Sequence, residues 1–377
     1  MFRRRHRQLL DSPERFPSAP PDAPLLEVDD ARTHFQTNRG DLRAVDGVTF
    51  GLDRGRTLGI VGESGCGKTV LSRSIMGLLP KHNVIRSGSV KFEGQEIGDW
   101  GPDRMRPLWG TQMAMVFQDP MTSLNPVMSI GKQITEPLLY HFDIATSYAR
   151  ELAVALLQSV GIPEPERRLR QFPHELSGGM RQRVMIAIAI ACGPKVLFAD
   201  EPTTALDVTV QAQILDLLQT QQRERFMAMM LVTHDLGVVA GRTDDIAVMY
   251  AGKLVEKAPT SVLFSQPRMP YTEALMASIP KLGDAPHSRL ATIPGRPPNL
   301  VHPPTGCKFS PRCAYVQDKC RVEEPPLRPG ADPKHEFACW FPVGTPEGRA
   351  AFESNKKAGL TAVDARLGEV VAADGVI

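Results

Sequence analysis

Short apolar runs alternate with stretches of helical spacing over the first two thirds of the chain. Residues 57–61 and 229–232 are almost entirely apolar, and residues 196–199 form a third such run. Runs of this length predict buried strands. Apolar residues at helical intervals predict helices over residues 70–76 and 148–160. Strands that alternate with helices indicate an α/β fold.

The pattern changes after about residue 260. Proline recurs at positions 267, 270, 280, 286, 294, 297, 298, 303 and 304, and proline interrupts helices and sheets alike. Residues 261–300 are therefore predicted to be an extended linker. Residues 1–24 combine a basic patch with many prolines and are predicted to be a disordered tail. Contact of that patch with anionic lipid headgroups is the alternative.

Composition places limits on the function. The chain has 377 residues, of which 42% are hydrophobic, so it is expected to bury one main core with smaller additions. A formal net charge of +2 gives no argument for a nucleic-acid partner. No apolar run approaches the roughly 20 residues that span a bilayer, and no secretory signal follows the first residue. A cytosolic location is therefore expected.

A glycine-rich loop joins the first apolar run to the helix that follows it. Residues 62–69 read GESGCGKT and match the phosphate-loop motif G-x-x-x-x-G-K-[ST] in the strand-to-helix context that it requires. Backbone N–H groups of such a loop surround phosphate oxygens, the lysine reaches the β- and γ-phosphates, and the hydroxyl binds Mg²⁺. A glycine-rich turn that matches by chance is the alternative. The candidate ATP contacts are Gly62, Ser64, Gly65, Cys66, Gly67, Lys68, Thr69 and Val70.

Two neighbouring acidic residues end the apolar run at 196–199. Asp200 is expected to hold Mg²⁺, and Glu201 is expected to orient or deprotonate the attacking water. A solvated acidic turn is the alternative. Cys66 lies near a helix N-terminus, which favours the thiolate and predicts inactivation by alkylating agents.

Further motifs follow the phosphate loop along the chain. Together with that loop, they make residues 25–260 resemble the nucleotide-binding subunit of an ABC transporter, in which the same motifs occur in the same order. The resemblance predicts an α/β nucleotide-binding domain with a phosphate-loop core sheet, an antiparallel β part and a helical subdomain at about 120–190. It implies ATP and Mg²⁺ as ligands. The matching residues are Gln118 (Q-loop, adjoining Mg²⁺), Ser177, Gly178, Gly179 and Met180 (signature), Ala205 and Asp207 (D-loop), His234 (switch) and Phe35 (adenine stacking).

The resemblance also implies an assembly. In the family, the signature of one subunit closes over ATP held by the phosphate loop of the other. A second ATPase subunit, which the family often supplies as a non-identical chain, is therefore expected. Residues 121–136 resemble peptide-importer ATPases, which implies two transmembrane permease subunits, an extracytoplasmic binding protein and a place at the cytoplasmic face of the membrane. No coiled-coil arm interrupts the domain, and no second ATP domain is present.

Four of the six cysteines lie close together near the C-terminus. Cys307, Cys313, Cys320 and Cys339 are not expected to form disulfides in a cytosolic protein, and a metal centre is the sharper interpretation. Residues 301–345 resemble the C-terminal region of oligopeptide and dipeptide permease ATPases, some of which hold a 4Fe-4S cluster. Zn²⁺, with His335 as the spare ligand, and a small core of reduced cysteines are the alternatives. Cys192 is predicted to be a core residue.

Together these features predict an ATP-hydrolysing subunit of a peptide importer. The alternatives are a soluble ABC ATPase without a membrane partner and an importer of another small cargo, such as glutathione or a metal chelate. A redox metalloprotein is a weaker possibility. The predicted divisions are 1–24 (tail), 25–260 (nucleotide-binding domain), 261–300 (linker), 301–345 (cysteine-rich region, a small C-terminal extension) and 346–377 (second tail).

Overall fold

A computed structural model describes residues 23–80, 82–204, 206–279 and 293–359. The predicted tail at 1–24, the linker and the second tail lie largely or partly outside these ranges, as does Ala205 of the D-loop. The helices are α1 (Lys68–Ile75), α2 (Pro102–Met105), α3 (Pro120–Ser123), α4 (Ile130–His141), α5 (Thr146–Ser159), α6 (Pro165–Arg168), α7 (Gly178–Ile190), α8 (Val208–Arg225), α9 (Leu236–Val239), α10 (Thr260–Ser265), α11 (Pro270–Ala277), α12 (Asp318–Val322) and α13 (Pro346–Lys357).

The strands form two sheets. Four antiparallel strands pair in the order β2-β1-β4-β5, and eight strands of a mixed sheet pair in the order β11-β12-β10-β9-β3-β8-β7-β6. Within the mixed sheet β9, β3, β8, β7 and β6 are parallel neighbours. The strands are β1 (Leu26–Thr37), β2 (Gly40–Leu52), β3 (Thr57–Val61), β4 (Val84–Phe92), β5 (Gln95–Glu96), β6 (Met113–Val116), β7 (Val196–Asp200), β8 (Ala228–Thr233), β9 (Asp245–Tyr250), β10 (Lys253–Pro259), β11 (Arg328–Pro329) and β12 (Glu336–Phe337).

The mixed sheet separates two hydrophobic cores. Alternate residues of one strand contribute to opposite sides: Phe198 of β7 packs with the antiparallel sheet, and Leu197 packs with the helices. Both residues are fully buried, as the apolar runs predicted for strands covered on both faces. Because both faces of these strands are buried, the carboxyl ends of β3 and β7 are held at the same edge of the mixed sheet.

Several helices lie between residues 120 and 190. Helices α4, α5 and α7 pack together through Ile134, Leu156 and Val184. The predicted helix at 148–160 is observed as α5, which begins two residues earlier and ends at Ser159.

The region after residue 260 differs from the prediction. The described part of the predicted linker contains two helices, and α11 places Tyr271 in the core with no exposed surface. Its proline stands at the first helical position, where the missing N–H costs nothing, so this proline starts a helix instead of breaking one. Strand β12 pairs antiparallel with β10, so the C-terminal region extends the mixed sheet.

Candidate functional site

The phosphate loop connects β3 to α1. Gly67 has φ +106°, and a Cβ there would stand 2.0 Å from the carbonyl oxygen of Ala44; a Cβ on Gly62 would stand 2.1 Å from that of Met249. Only glycine fits at these two positions. Lys68 is buried and donates to the carbonyl oxygens of Gly62 at 2.7 Å and Glu63 at 3.1 Å. Its ammonium group therefore lies inside the loop.

Thr69 and Asp200 meet at the carboxyl edge of the mixed sheet. The Thr69 hydroxyl donates to Asp200 Oδ1 at 2.9 Å, while Asp200 Oδ2 is buried without a hydrogen-bond partner. Burial raises the pKa of Asp200, and the hydroxyl and nearby Arg73 and Lys68 oppose that rise. A buried carboxylate oxygen with no partner beside a threonine hydroxyl suits a hard cation such as Mg²⁺. These two residues therefore fit the ion that the sequence predicts.

Glu201 stands at the centre of a polar cluster. Its Oε2 accepts hydrogen bonds from Gln118 Nε2 at 3.1 Å and from the Thr204 hydroxyl at 3.0 Å. His234 Nδ1 lies 3.3 Å from the same oxygen, and Lys68 Nζ lies 4.0 Å from Oε1. Glu201 has φ 44°, a left-handed value that is uncommon for a non-glycine residue. The structure brings these predicted residues together.

The signature residues lie at the start of α7. The Ser177 side chain caps this helix by accepting from Met180 N at 3.3 Å, and Ser177 and Gly178 are exposed. A Cβ on Gly179 would lie 2.9 Å from Val210 of α8, so glycine allows the two helix starts to pack closely. Asp207 of the D-loop caps α8 through Val210 N at 2.9 Å. The exposed start of α7 can offer its N–H groups to an anion on another molecule.

Phe35 lies on β1 of the antiparallel sheet. The pairing of β1 with β4 is unbroken from Arg32 to Phe35, so Phe35 shares a strand face with Thr33. The Thr33 hydroxyl contacts that of Ser74 on α1 at 2.8 Å. Phe35 is partly exposed and belongs to neither of the two cores.

Two isolated cysteines are buried. The Cys66 thiol was expected to be a reactive thiolate, and this expectation is wrong for the structure. Burial raises the pKa of Cys66, and the opposing effect of nearby Lys68 does not cancel the rise. Cys192 is buried just after α7, where burial raises its pKa to about 12. Its predicted place in the core is confirmed.

The other four cysteines line one small cavity. Cys307, Cys313, Cys320 and Cys339 surround it together with apolar and aromatic side chains such as Pro325, Trp340 and Met269. We call these four residues the cysteine cage. Their thiols are reduced. Burial raises the pKa of every one, to about 11 for Cys307.

Within the described ranges, no group of three or more His, Cys, Asp or Glu side chains is placed to hold a metal ion. His335, considered as a spare zinc ligand, instead pairs with buried Glu256, its Nε2 lying 2.7 Å from Glu256 Oε1. The four thiols of the cysteine cage therefore line one cavity, but the structure does not bring three or more of them into an arrangement that holds a metal ion.

The cysteine-rich region also contacts the phosphate loop, which the sequence did not predict. Arg312 donates to both carboxylate oxygens of Glu63, at 2.6 and 2.9 Å. Lys308 donates to Asp46 Oδ2 at 2.9 Å and to the carbonyl oxygen of Ala251 at 3.0 Å. These contacts span up to 262 residues of sequence. Only the presence of basic residues beside two of the cysteines could have drawn attention to them.

Comparisons with known proteins match the chain to two family descriptions and to named relatives. Residues 45–204 match the family described as ABC transporter, and residues 255–320 match the oligopeptide/dipeptide transporter C-terminal region. The chain is 49% identical to the oligopeptide transport ATP-binding protein OppD of Bacillus subtilis, covering 84% of this chain and 88% of that one. It is 47% identical to the dipeptide transport ATP-binding protein DppD of Escherichia coli, covering 85% and 97%.

Among solved structures, the chain is similar to the dimeric bacterial ABC transporter cassette MJ0796. The TM-score is 0.56 at 25% identity, with 62% of this chain and 98% of that one covered. A search of the described helices finds none with the length and apolar character needed to cross a bilayer.

Proposed function

The chain belongs to the ABC transporter ATP-binding subunits of the oligopeptide/dipeptide type, and we propose that it hydrolyses ATP to drive peptide import. The observation that carries this proposal is the meeting of Lys68, Thr69, Asp200 and Glu201 at one edge of the mixed sheet. A phosphoryl-transfer site needs a lysine for the phosphates, a metal-holding pair and a carboxylate for water within one small space.

In the proposed mechanism, the phosphate loop binds the β- and γ-phosphates through its N–H groups and Lys68. Thr69 and Asp200, with help from Gln118, would hold Mg²⁺, which when bound would supply positive charge close to the phosphates. Glu201 orients the attacking water and accepts its proton. His234, 3.3 Å from Glu201, is proposed to bond the γ-phosphate, and Phe35 is proposed to stack on adenine.

The exposed signature supports an ATP site shared between two subunits. Ser177, Gly178, Gly179 and Met180 are proposed to close over the ATP of a second ATPase subunit, with Asp207 at the same interface. The similar cassette is described as dimeric, which supports a dimer of nucleotide-binding domains. The partner is proposed to be a non-identical ATPase.

Peptides are the proposed cargo because the relatives are named as oligopeptide and dipeptide transport proteins. Two transmembrane permease subunits and an extracytoplasmic binding protein complete the proposed assembly, with this chain at the cytoplasmic face of the membrane. Exposed Met121, Val127 and Tyr140 on and beside α3 and α4 offer an apolar surface for the permease.

The cysteine cage is proposed to hold a 4Fe-4S cluster, with Zn²⁺ as the alternative. Four thiols around one cavity supply the four ligands that such a cluster takes. Because burial keeps these thiols protonated, binding would release protons and supply folding free energy. When bound, the cluster would act as a structural staple for a region whose described part has only short elements between residues 293 and 345.

Reconstitution tests the proposed function. The chain is purified with its permease and second ATPase subunits, placed in liposomes, and assayed for ATP hydrolysis with and without a peptide-loaded binding protein. Peptide-dependent hydrolysis that Glu201→Gln abolishes supports the proposal. Equal stimulation by an unloaded binding protein, or hydrolysis that survives Glu201→Gln, contradicts it.

A further inference from the structure

A buried arginine of the cysteine-rich region holds the phosphate loop from outside. Arg312 is 3% exposed, and its Nη1 and Nη2 donate to Glu63 Oε2 at 2.6 Å and Oε1 at 2.9 Å. This bidentate geometry is among the strongest of side-chain ion pairs. Glu63 lies within the phosphate loop, between Gly62 and Ser64.

The guanidinium is also held by two backbone carbonyl groups of the preceding segment and by a tyrosine of β9. Arg312 Nε donates to the carbonyl oxygen of Pro294 at 2.6 Å, and Nη2 lies 3.4 Å from that of Ile293. Nη1 also donates to the Tyr250 hydroxyl at 3.3 Å. The guanidinium therefore cannot follow Glu63 freely, and the pair limits where the loop can move.

Glu63 is also the residue through which other groups hold the loop. Its N–H donates to the Tyr271 hydroxyl at 2.9 Å, and its carbonyl oxygen accepts from Lys68 Nζ at 3.1 Å. Its carboxylate is 26% exposed. Without Arg312 this negative charge would stand in a loop built to receive a polyanion. Repulsion between the carboxylate and the phosphates would then oppose binding.

We propose that Arg312 is a positioning residue for ATP binding, which neutralises Glu63 and fixes the phosphate loop from the cysteine-rich region. The proposal rests on the proposed ATP site but not on the cargo or on the contents of the cysteine cage.

The test is a calorimetric titration of the full-length chain with MgATP. Arg312→Gln is expected to weaken binding about tenfold, within the range of typical coupling between sites. The double variant Arg312→Gln with Glu63→Gln is expected to bind at least threefold more tightly than Arg312→Gln alone, because the unpaired charge is gone. Raising the salt concentration should shrink the tenfold loss, since mobile ions screen the exposed carboxylate.

Three further variants make the result decisive. Arg268→Gln removes a C-terminal arginine that donates to the carbonyl oxygen of Val343, away from the loop, and should leave the affinity unchanged. Arg312→Lys keeps the charge and should lie between wild type and Arg312→Gln; it carries the test if the glutamine variant does not fold. Lys68→Ala, which should abolish binding, checks the ATP site itself.

Two outcomes would overturn the proposal. One is an Arg312→Gln affinity, or an Arg312→Lys affinity where that variant carries the test, equal to wild type while Lys68→Ala has lost binding. The other is a double variant as weak as Arg312→Gln, which would mean that Arg312 acts only through folding. ATP binding that survives Lys68→Ala would instead refute the proposed ATP site.

Discussion

Replacement of Glu201 by glutamine removes a charge from the proposed site with almost no change in shape. Glutamine retains an oxygen that can accept from the Thr204 hydroxyl, now 3.0 Å from Glu201 Oε2. It also tolerates φ 44° no better and no worse than glutamate, so backbone strain is equal in the two proteins. The variant therefore isolates the loss of the proton acceptor.

The expected loss of turnover is large. General-base assistance contributes about 10²–10⁴-fold, which corresponds to about 3–5 kcal/mol in the barrier. Stability should change by no more than about 1 kcal/mol, because a glutamine oxygen can keep the two hydrogen bonds that Glu201 Oε2 accepts from Gln118 and Thr204. ATP binding should persist, since Lys68, Thr69 and Asp200 are untouched.

Single-turnover hydrolysis of labelled ATP measures this step directly. Filter binding measures retained ATP, and size-exclusion chromatography with the second ATPase subunit detects a trapped closed dimer. Glu166→Gln, which removes an exposed carboxylate on α6, is the matched control and should hydrolyse at the wild-type rate. A Glu201→Gln rate within tenfold of wild type would refute the assignment of Glu201 as the base.

Three further predictions concern the cysteines. Iodoacetamide at neutral pH should modify Cys66 slowly, because the thiol is buried and its pKa is raised; rapid modification that Cys66→Ser prevents would contradict this. Anaerobically purified protein should be brown and contain about four irons per chain. Cys320→Ser should lower the iron content and the melting temperature, whereas Cys192→Ser should leave the iron content unchanged. Colourless protein without any metal would refute both the cluster and its role as a structural staple. Burial raises the pKa of the Cys192 thiol from 9.0 to about 12, so this thiol stabilises the fold fully below pH 9 and progressively less between pH 9 and 12. Cys192→Ala should therefore flatten the dependence of the unfolding free energy on pH in that interval. An unchanged dependence would contradict the raised pKa of Cys192.

Local features of the site could be predicted from the sequence because they depend on neighbouring residues. The strand at 57–61, the loop after it and α1 follow from one apolar run, one glycine motif and one helical spacing. Ser177 begins α7 because the helix has exposed N–H groups that a serine hydroxyl can cap. Asp200 ends β7, and Glu201 follows it directly. Because β3 and β7 both pair in parallel with β8, their carboxyl ends lie at the same edge of the sheet.

Long-range features could not be predicted in the same way. The pairing of β12 with β10 and the contact of Arg312 with Glu63 join segments that no local pattern relates. Helix α11 was missed because proline frequency was interpreted as breaking structure, whereas Pro270 begins a helix. The reactivity of Cys66 was predicted from the helix N-terminus alone, and the burial that reverses the pKa shift depends on tertiary packing.

Peptide uptake in cells that lack the gene for this chain tests the central claim most directly. Uptake of a labelled tripeptide is measured after complementation with the wild-type chain or with Glu201→Gln, at matched protein levels. The account predicts that uptake returns with the wild-type chain and not with the variant. Uptake that is independent of the chain, or equal with both forms, would contradict it.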